Sequence, residues 1–419
     1  MTQQMPVKPG ERETFMDVLR GFAILGIFIA NLNAFSWFDM VKSGTDGPFL
    51  VPAYDNKMLF LHHLFIEGKF YSIFSFLFGW GIALQLNKST IAGVPAFSFI
   101  RRRLFVMLLL GAVHLMLWPG DIVFFYALLG FILLPLSKLS NKTLIITGCT
   151  FLLLPIALYA LKMNFPVLRF PTQFLYDTGA KADAAIAGIN SEEDFKELIH
   201  TTSWYRIFLA DLSGFFFRYG DLFFQSRIFK VLGMMMLGLV VGRTGFYSKL
   251  AQYKKLLYFI IAGGLIIGLP ANYMLAHYMD LNDGAYYQYK MNGFYRTLSY
   301  AFGVAPLAAA YIALFMLAYK SASGNRILNI LAPAGKMAFT NYFTQTLFGN
   351  FFFLYAGLGY MEKVGPVYYT LLALVVFSVQ VIVSTIWLRY FHFGPLEWIW
   401  RSATYRKWQP MLKHNAGNE

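Results

Sequence analysis

The feature that most constrains this chain is a succession of long apolar runs, each bounded by charged or turn-forming residues. Of its 419 residues, 58% are hydrophobic and only 13% are charged, whereas a soluble globular protein carries about 25% charged residues. No soluble core could hide so many Phe, Leu and Ile side chains. The composition therefore indicates a membrane protein that crosses the bilayer several times.

A membrane-spanning helix needs about 20 mainly apolar residues, and ten segments of the chain approach that requirement. We predict an all-α fold, a polytopic membrane helix bundle of about ten transmembrane helices. The predicted spans are residues 17–36, 68–87, 102–118, 122–137, 143–161, 228–243, 256–277, 299–319, 337–357 and 367–388.

The distribution of lysine and arginine predicts the orientation of this bundle. If the N-terminus lies in the cytoplasm, basic residues concentrate in the cytoplasmic segments, whereas the outer segments carry similar numbers of acidic and basic residues. This is the positive-inside pattern, so we expect both termini to be cytoplasmic. The net charge of +14 then reflects orientation. We predict no nucleic-acid partner, because the sequence contains no strongly basic soluble domain.

The predicted spans divide the chain into four regions. Residues 1–161 form a five-helix membrane half and residues 228–407 a second one, while residues 408–419 are a cytoplasmic tail. Residues 162–227 are too long for a simple connection, and "INSEEDFKELIH" predicts an amphipathic helix capped by Ser191. The charges within 204–227 argue against a lipid-facing span, so this extracytoplasmic stretch is predicted to be interfacial or re-entrant.

Several ionisable residues lie at or near membrane depth, where a charge costs about 2.5–3.5 kcal/mol or more and requires a partner or a function. Asp17 and Arg20 are three residues apart on one helical face and can pair. Lys69 is expected to extend its ammonium to the interface. His114 is interpreted either as an interhelical hydrogen bonder or as a site residue, and Asp121 either as a helix cap or as part of that site.

Uncharged polar residues leave the same two interpretations open. Ser72 and Ser75 share one helical face, as do Asn341 and Gln345 four residues apart. Interhelical hydrogen bonds would explain each pair, and so would a polar cavity. In the same region, Gly68, Gly79 and Gly81 are typical of close helix contact.

Motifs with a known chemistry do not decide between these interpretations. The sequence contains no phosphate-binding P-loop, no dinucleotide fingerprint, no zinc-type Cys/His spacing and no nucleophile elbow. We therefore predict no metal site and no permanently bound cofactor.

Five stretches together resemble the YeiB-like family of bacterial inner-membrane proteins, which carry the domain of unknown function 418. They are "DVLRGFAILGIFIANLNAF", "GKFYSIFSFLFGWGIAL", "RRRL…GAVHLMLWPGDIVFFYALLG", "GKMAFTNYFTQ" and "FGPLEWIWRSATY". The resemblance extends from about residue 14 to residue 407. It implies a multi-pass protein of the bacterial inner membrane.

The N-terminal half is also similar to the transmembrane acyltransferases typified by heparan-alpha-glucosaminide N-acetyltransferase. This similarity implies an acyl group moved from cytoplasmic acetyl-CoA to an acceptor across the membrane. In that family an asparagine ends the first span, where this chain has Asn31, and a histidine follows in the outer loop, where it has His62 and His63. The resemblance thus implies His63 or His62 as the base and Asn31 as an oxyanion donor. His114, which is expected near the outer surface, is a further catalytic candidate.

The remaining candidates complete this hypothesis. Residues expected to bind the phosphates or body of acyl-CoA are Arg20, Arg101, Arg102, Arg103 and Lys69. Residues expected to line a polar cavity are Asp17, Ser72, Ser75, Asp121, Asn341 and Gln345. The expected partners are the lipid bilayer and a cell-envelope or small-molecule acceptor. Two alternatives stay open, namely a transporter or exporter of a small solute and a membrane protein without enzymatic activity.

Overall fold

The computed structural model describes residues 14–38, 47–250, 252–281 and 284–413. In the first half, the helices are α1 (Thr14–Ser36), α2 (Pro52–Phe65), α3 (Lys69–Leu86), α4 (Ala96–Leu115), α5 (Val123–Leu136), α6 (Asn141–Asn164), α7 (Phe170–Ala182), α8 (Glu192–Ile199) and α9 (Trp204–Phe224). In the second half, they are α10 (Arg227–Thr244), α11 (Lys254–Asp280, with a π-helical turn at Gly264–Gly268), α12 (Met291–Tyr319), α13 (Ala322–Leu328), α14 (Ala332–Lys336), α15 (Ala338–Phe353), α16 (Pro366–Tyr390) and α17 (Pro395–Tyr405).

Short elements join these helices. A two-residue β-hairpin (Thr90–Ile91 with Val94–Pro95) precedes α4. Further single turns are 3-10 helices at Pro166–Arg169, Phe246–Lys249 and Asn329–Leu331, and a π-helix at Asp183–Ala187. The fold is all-α apart from that hairpin and isolated bridges in the described ranges.

The helices identify the chain as a membrane protein. Within the described residues, five helices are long and apolar enough to cross a bilayer, namely α1, α6, α11, α12 and α16. The count is up to six if the bent pair α9–α10 forms one span, and α5 is a shorter apolar helix. A helix lies at each of the ten predicted segments, while the number ten and the orientation of the termini stay predictions.

The segment 162–227 contains the amphipathic helix that the sequence predicts. Helix α8 begins at Glu192, and the Ser191 side chain accepts a hydrogen bond from the backbone N–H of Asp194. The following helix α9 is bent by 70° from α10, with the break at Gln225 and Ser226. A break of this size within an apolar helix pair is typical of a broken span or a re-entrant segment.

Helices α3 and α10 pack closely against each other, because glycines on both helices let their backbones approach. A Cβ atom at Gly79 would lie 1.8 Å from the Met235 carbonyl oxygen, and one at Gly238 would lie 1.9 Å from the Phe76 carbonyl oxygen. The predicted role of Gly79 in close helix contact is therefore confirmed. The same prediction for Gly81 is wrong, because a Cβ atom there would have no neighbour within 4 Å.

Candidate functional site

A group of buried polar side chains joins three helical segments. The Nδ1 atom of His114 lies 2.7 Å from Asp121 Oδ1, and its Nε2 atom lies 2.9 Å from Thr346 Oγ1. The exposed fractions are 0% for His114, 3% for Asp121 and 1% for Thr346. We call these three residues the His114 site.

The turn between α4 and α5 positions two members of this site. Helix α4 ends at Leu115, one residue after His114, and the turn returns the chain at Asp121. The second carboxylate oxygen of Asp121 accepts the backbone N–H of Phe124, 2.6 Å away, at the start of α5. Gly111 allows this tight return, since a Cβ atom there would lie 2.4 Å from the Phe124 nitrogen. Asp121 thus serves both as a helix cap and as the partner of His114.

The third member comes from the distant helix α15. Thr346 faces the imidazole, and the ring of Tyr342, one turn earlier, lies 4.8 Å from the His114 ring between centroids. Asn350, one turn later, donates to the Leu117 carbonyl oxygen at 2.8 Å and fixes α15 against the α4–α5 turn.

This arrangement has the parts of a base-activated hydroxyl. A carboxylate on Nδ1 holds the imidazole in one tautomer. In that tautomer Nδ1 donates to Asp121, and Nε2 accepts the hydroxyl hydrogen of Thr346. The geometry is suited to nucleophilic or general-base chemistry at a hydroxyl group.

The histidines of the first outer connection have different surroundings. His62 Nδ1 lies 3.2 Å from the Tyr369 hydroxyl, and His62 Nε2 lies 2.9 Å from Thr370 Oγ1. The Tyr369 hydroxyl donates in turn to Asn33 Oδ1 at 3.1 Å. The residue that the structure joins to His62 on the first helix is therefore Asn33, whereas Asn31 is half-buried two residues before it.

His63 and Lys69 form a second contact at this end of the bundle. The ammonium of Lys69 donates to the His63 carbonyl oxygen at 2.7 Å, and Lys69 has an exposed fraction of 0%. The prediction that Lys69 extends to the interface is wrong, because its helix begins inside the packed bundle, where the ammonium is buried. Gly68, with φ of 80°, makes the turn that buries it.

The serines of α3 hydrogen-bond within the bundle. Ser72 Oγ donates to the Gly68 carbonyl oxygen at 2.7 Å. Ser75 Oγ lies 2.7 Å from both the Tyr71 carbonyl oxygen and the Tyr126 hydroxyl. These contacts join α3 to α5, and they do not include His114.

The predicted acyl-CoA ligands divide into two groups. Arg20 pairs with Asp17 at 2.5 Å, as expected from their spacing. On α4, Arg101 is exposed and Arg102 half-buried, while the Arg103 guanidinium lies 4.2 Å from the centre of the Trp400 ring. Two members of the arginine triplet therefore present charge at the surface.

Comparison with known proteins shows to which family the chain belongs. "Uncharacterized protein YxaH" of Bacillus subtilis (strain 168) is 31% identical over 429 residues, with 99% of both chains covered. The chain belongs to the YeiB-like family. "Uncharacterized protein YeiB" of Escherichia coli (strain K12) is 28% identical over 426 residues, covering 97% of this chain and 100% of the relative. The family described as "Protein of unknown function (DUF418)" matches residues 241–407. No solved structure matches the chain.

In this YeiB-like protein, Asn341 and Gln345 connect α15 to α16. The Asn341 amide donates to Ser384 Oγ at 3.0 Å, and the Gln345 amide donates to Gln380 Oε1 at 2.9 Å. Gln380 donates to the Asn341 carbonyl oxygen and to Thr344 Oγ1. We call this set the amide network, and its contacts favour the interhelical interpretation over a cavity.

The YeiB-like sequence contained signals that our sequence analysis did not use. Thr346 directly follows Gln345 and lies one turn from Tyr342, so Tyr342 and Thr346 share a second face of the same polar helix, about 100° from Asn341 and Gln345. Arg218 and Arg227, noted only as charges against a lipid-facing span, are half-buried near the break between α9 and α10. In the described ranges, no group of three or more His, Cys, Asp or Glu side chains is placed to hold a metal ion.

Proposed function

We propose that this YeiB-like protein is a transmembrane acyltransferase in which His114 is the general base. Acyl-CoA is the donor, and a hydroxyl or amine of a cell-envelope or small-molecule compound is the acceptor. One observation carries the proposal. A buried imidazole lies between a carboxylate and a hydroxyl, at 2.7 Å from Asp121 and 2.9 Å from Thr346, an arrangement suited to activating a hydroxyl for attack on a thioester.

The reaction proceeds in two balanced steps. In the first, His114 Nε2 takes the hydroxyl proton of Thr346, the Thr346 oxygen bonds to the acyl carbon, and the carbon–sulfur bond of the thioester breaks. The CoA thiolate leaves with the proton from the imidazolium. In the second step, His114 takes a proton from the acceptor, which attacks the Thr346 ester. The acyl–acceptor bond forms, the ester bond between the acyl carbon and the Thr346 oxygen breaks, and the proton returns to that oxygen.

Helix α4 links the two ends of this reaction. Arg101 and Arg102 are proposed to bind the CoA phosphates by charge-assisted hydrogen bonds. From Arg103 to His114 the helix rises roughly 17 Å at about 1.5 Å per residue, a separation that the pantetheine arm of CoA would bridge. The proposal assumes ten spans, cytoplasmic termini and an inner-membrane location. With that topology the arginines of α4 face the cytoplasm, from which the donor enters.

The proposal changes the roles first inferred from the family resemblance. His62 contacts the hydroxyls of Tyr369 and Thr370. His114 has both a carboxylate on Nδ1 and a hydroxyl on Nε2. We therefore assign the base to His114, and we propose that His62, His63 and Asn31 border the acceptor's route.

The test is thioester cleavage by purified protein in lipid nanodiscs with radiolabelled acetyl-CoA. Thr346→Val should lose turnover and Thr346→Ser should retain it, because only the second variant keeps a hydroxyl near His114. Gln380→Leu is the matched control, since it alters a polar contact of the same helix outside the His114 site. Absence of acetyl-CoA cleavage by the wild-type protein, or equal cleavage by Thr346→Val, would overturn the proposal.

A second candidate function is transport of an anionic solute. Its supporting observation is the 70° break between α9 and α10, because transporters bind substrates at the ends of discontinuous helices. Gradient-driven uptake of a solute by reconstituted vesicles, with no thioester cleavage, would favour transport over acyl transfer.

A further inference from the structure

A second polar region surrounds the break between α9 and α10. Four cationic side chains converge there from three helices, namely Arg218, Arg227, Lys230 and Arg296. A small cavity of about 30 Å³ lies against two of them, Lys230 and Arg296, and is also lined by Glu67 and Tyr300. We call the four cations the basic cluster. It lies outside the His114 site.

Most donors of the basic cluster have no acceptor in the described part of the protein, although one guanidinium nitrogen of Arg227 donates to Gln225 Oε1 at 2.7 Å. Among the described residues, none of the four cations forms an ion pair with a carboxylate. The Nε atoms of Arg218 and Arg227 are buried without a hydrogen-bond partner in the same set. Such donors are expensive to bury unsatisfied, so they indicate a ligand.

Aromatic rings hold the cations in place without neutralising them. The Lys230 ammonium lies 3.7 Å from the centre of the Tyr300 ring, and the Arg296 guanidinium lies 4.2 Å from that of Tyr286. Lys230 has an exposed fraction of only 6%. These contacts fix the directions of the cations while leaving their hydrogen-bond donors available.

The charge balance indicates the class of ligand. Three carboxylates lie near the four cations, those of Glu67, Asp221 and Asp121. Asp221 accepts both of its side-chain hydrogen bonds from Gln225, at 2.9 and 2.8 Å. The cluster therefore retains a net positive charge, which favours an anionic ligand such as a phosphate monoester, whose charge at pH 7 is about −1.5 to −2.

We propose that the basic cluster binds a phosphate monoester group, carried either by a lipid headgroup or by a soluble compound. Arginine forks match phosphate oxygens in pairs, while the lysine supplies a point charge. This site is independent of the acyl transfer proposed above, and either proposal stands if the other fails.

The experiment measures binding to the full-length protein in detergent by native mass spectrometry. The probes are phosphatidic acid, which carries a phosphate monoester headgroup, glycerol phosphate as its soluble counterpart, and phosphatidylcholine as a neutral reference. Binding of phosphatidic acid alone assigns the site to lipid, and binding of glycerol phosphate assigns it to a soluble group. Binding of neither phosphate, or equal binding of phosphatidylcholine, would overturn the proposal.

Variants locate the site. Lys230→Met and Arg296→Gln should each weaken phosphate binding by about 10- to 100-fold, the loss expected for one hydrogen bond to a charged group. Lys162→Met is the matched control. Its ammonium is already used by the carbonyl oxygens of Phe223 and Phe224, at 2.9 and 3.2 Å, so phosphate affinity should be unchanged. Equal weakening by Lys162→Met, or full binding by both cluster variants, would contradict the assignment.

Discussion

Two faces of one helix, α15, show how differently polar residues are used in this bundle. On one face Gln345 donates to Gln380 of α16, within a network of amides and hydroxyls. On the other face the next residue, Thr346, contacts an imidazole held by a carboxylate. Both residues are buried. Polarity and burial alone therefore do not separate structural contacts from candidate chemistry, whereas the identity of the partner does.

The comparison predicts that the two faces respond differently to mutation. The amide network consists of neutral groups that bond to each other, so changes there should alter stability. The His114 site contains a titratable ring between a charged acceptor and a hydroxyl, so changes there should alter reactivity. The following predictions test that division, beginning with the largest expected effect.

The largest effect is expected for His114→Gln. Glutamine can still hydrogen-bond across the helices but cannot act as a base, and general-base catalysis contributes about 10²–10⁴-fold. Thioester cleavage in nanodiscs should fall by about this factor while the melting temperature changes little. If His114→Gln cleaves acetyl-CoA at the wild-type rate, the face of α15 that contacts His114 has only a structural role, like the face that carries the amide network.

The second effect separates stability from reactivity. Gly79→Ala should destabilise the protein by about 1–3 kcal/mol, because its methyl group would overlap the Met235 carbonyl oxygen. Both faces of α15 should remain in place, so turnover per folded molecule should persist. Thermal unfolding and activity are measured together. Gly81→Ala is the matched control, with open space around it, and an equal loss of stability in that variant would contradict the packing explanation.

The third effect concerns the basic cluster. Its cations form no ion pair with a carboxylate among the described residues, whereas the polar residues on both faces of α15 are hydrogen-bonded. Lys230→Met should raise stability by about 0.5–2 kcal/mol, since removing a buried unpaired charge is favourable. Lys162→Met should lower stability instead, because it removes two hydrogen bonds. The melting temperatures of the two variants are measured without added phosphate. An equal decrease in both melting temperatures would contradict the claim that the charge of Lys230 is unpaired.

The smallest effect belongs to the amide network. A double-mutant cycle of Gln345→Leu and Gln380→Leu should give a coupling free energy of about 0.6 kcal/mol, typical of interhelical hydrogen bonds in membranes. Turnover should be retained in each single variant. Loss of turnover with normal stability would place the amide network in the chemistry and remove the contrast between the two faces.

Much of the fold follows from the sequence, because apolar length and charge position are local properties. The all-α membrane class, the capped helix after Ser191 and the Asp17–Arg20 pair were predicted correctly. The burial of Lys69 was not, because it depends on the neighbours of its helix end. Gly79 and Gly81 look alike in the sequence, and only the position of α10 distinguishes them.

The candidate site was only partly predictable. His114 and Asp121 lie seven residues apart across one turn, so the local sequence was enough to predict both as site candidates. Thr346 lies 232 residues from His114, and its contact depends on how α15 packs against the α4–α5 turn. The basic cluster likewise requires the 70° break and the approach of α12, neither of which a local pattern specifies.

The most direct test of the central claim is the position of the acyl group after a single turnover. Wild-type protein is mixed with labelled acetyl-CoA in the absence of acceptor, quenched, digested and mapped by mass spectrometry. The proposed mechanism predicts one acetyl group on Thr346, absent in His114→Gln. Acetyl-CoA cleavage by the wild-type protein with no label on Thr346, or with label on another residue, would contradict it.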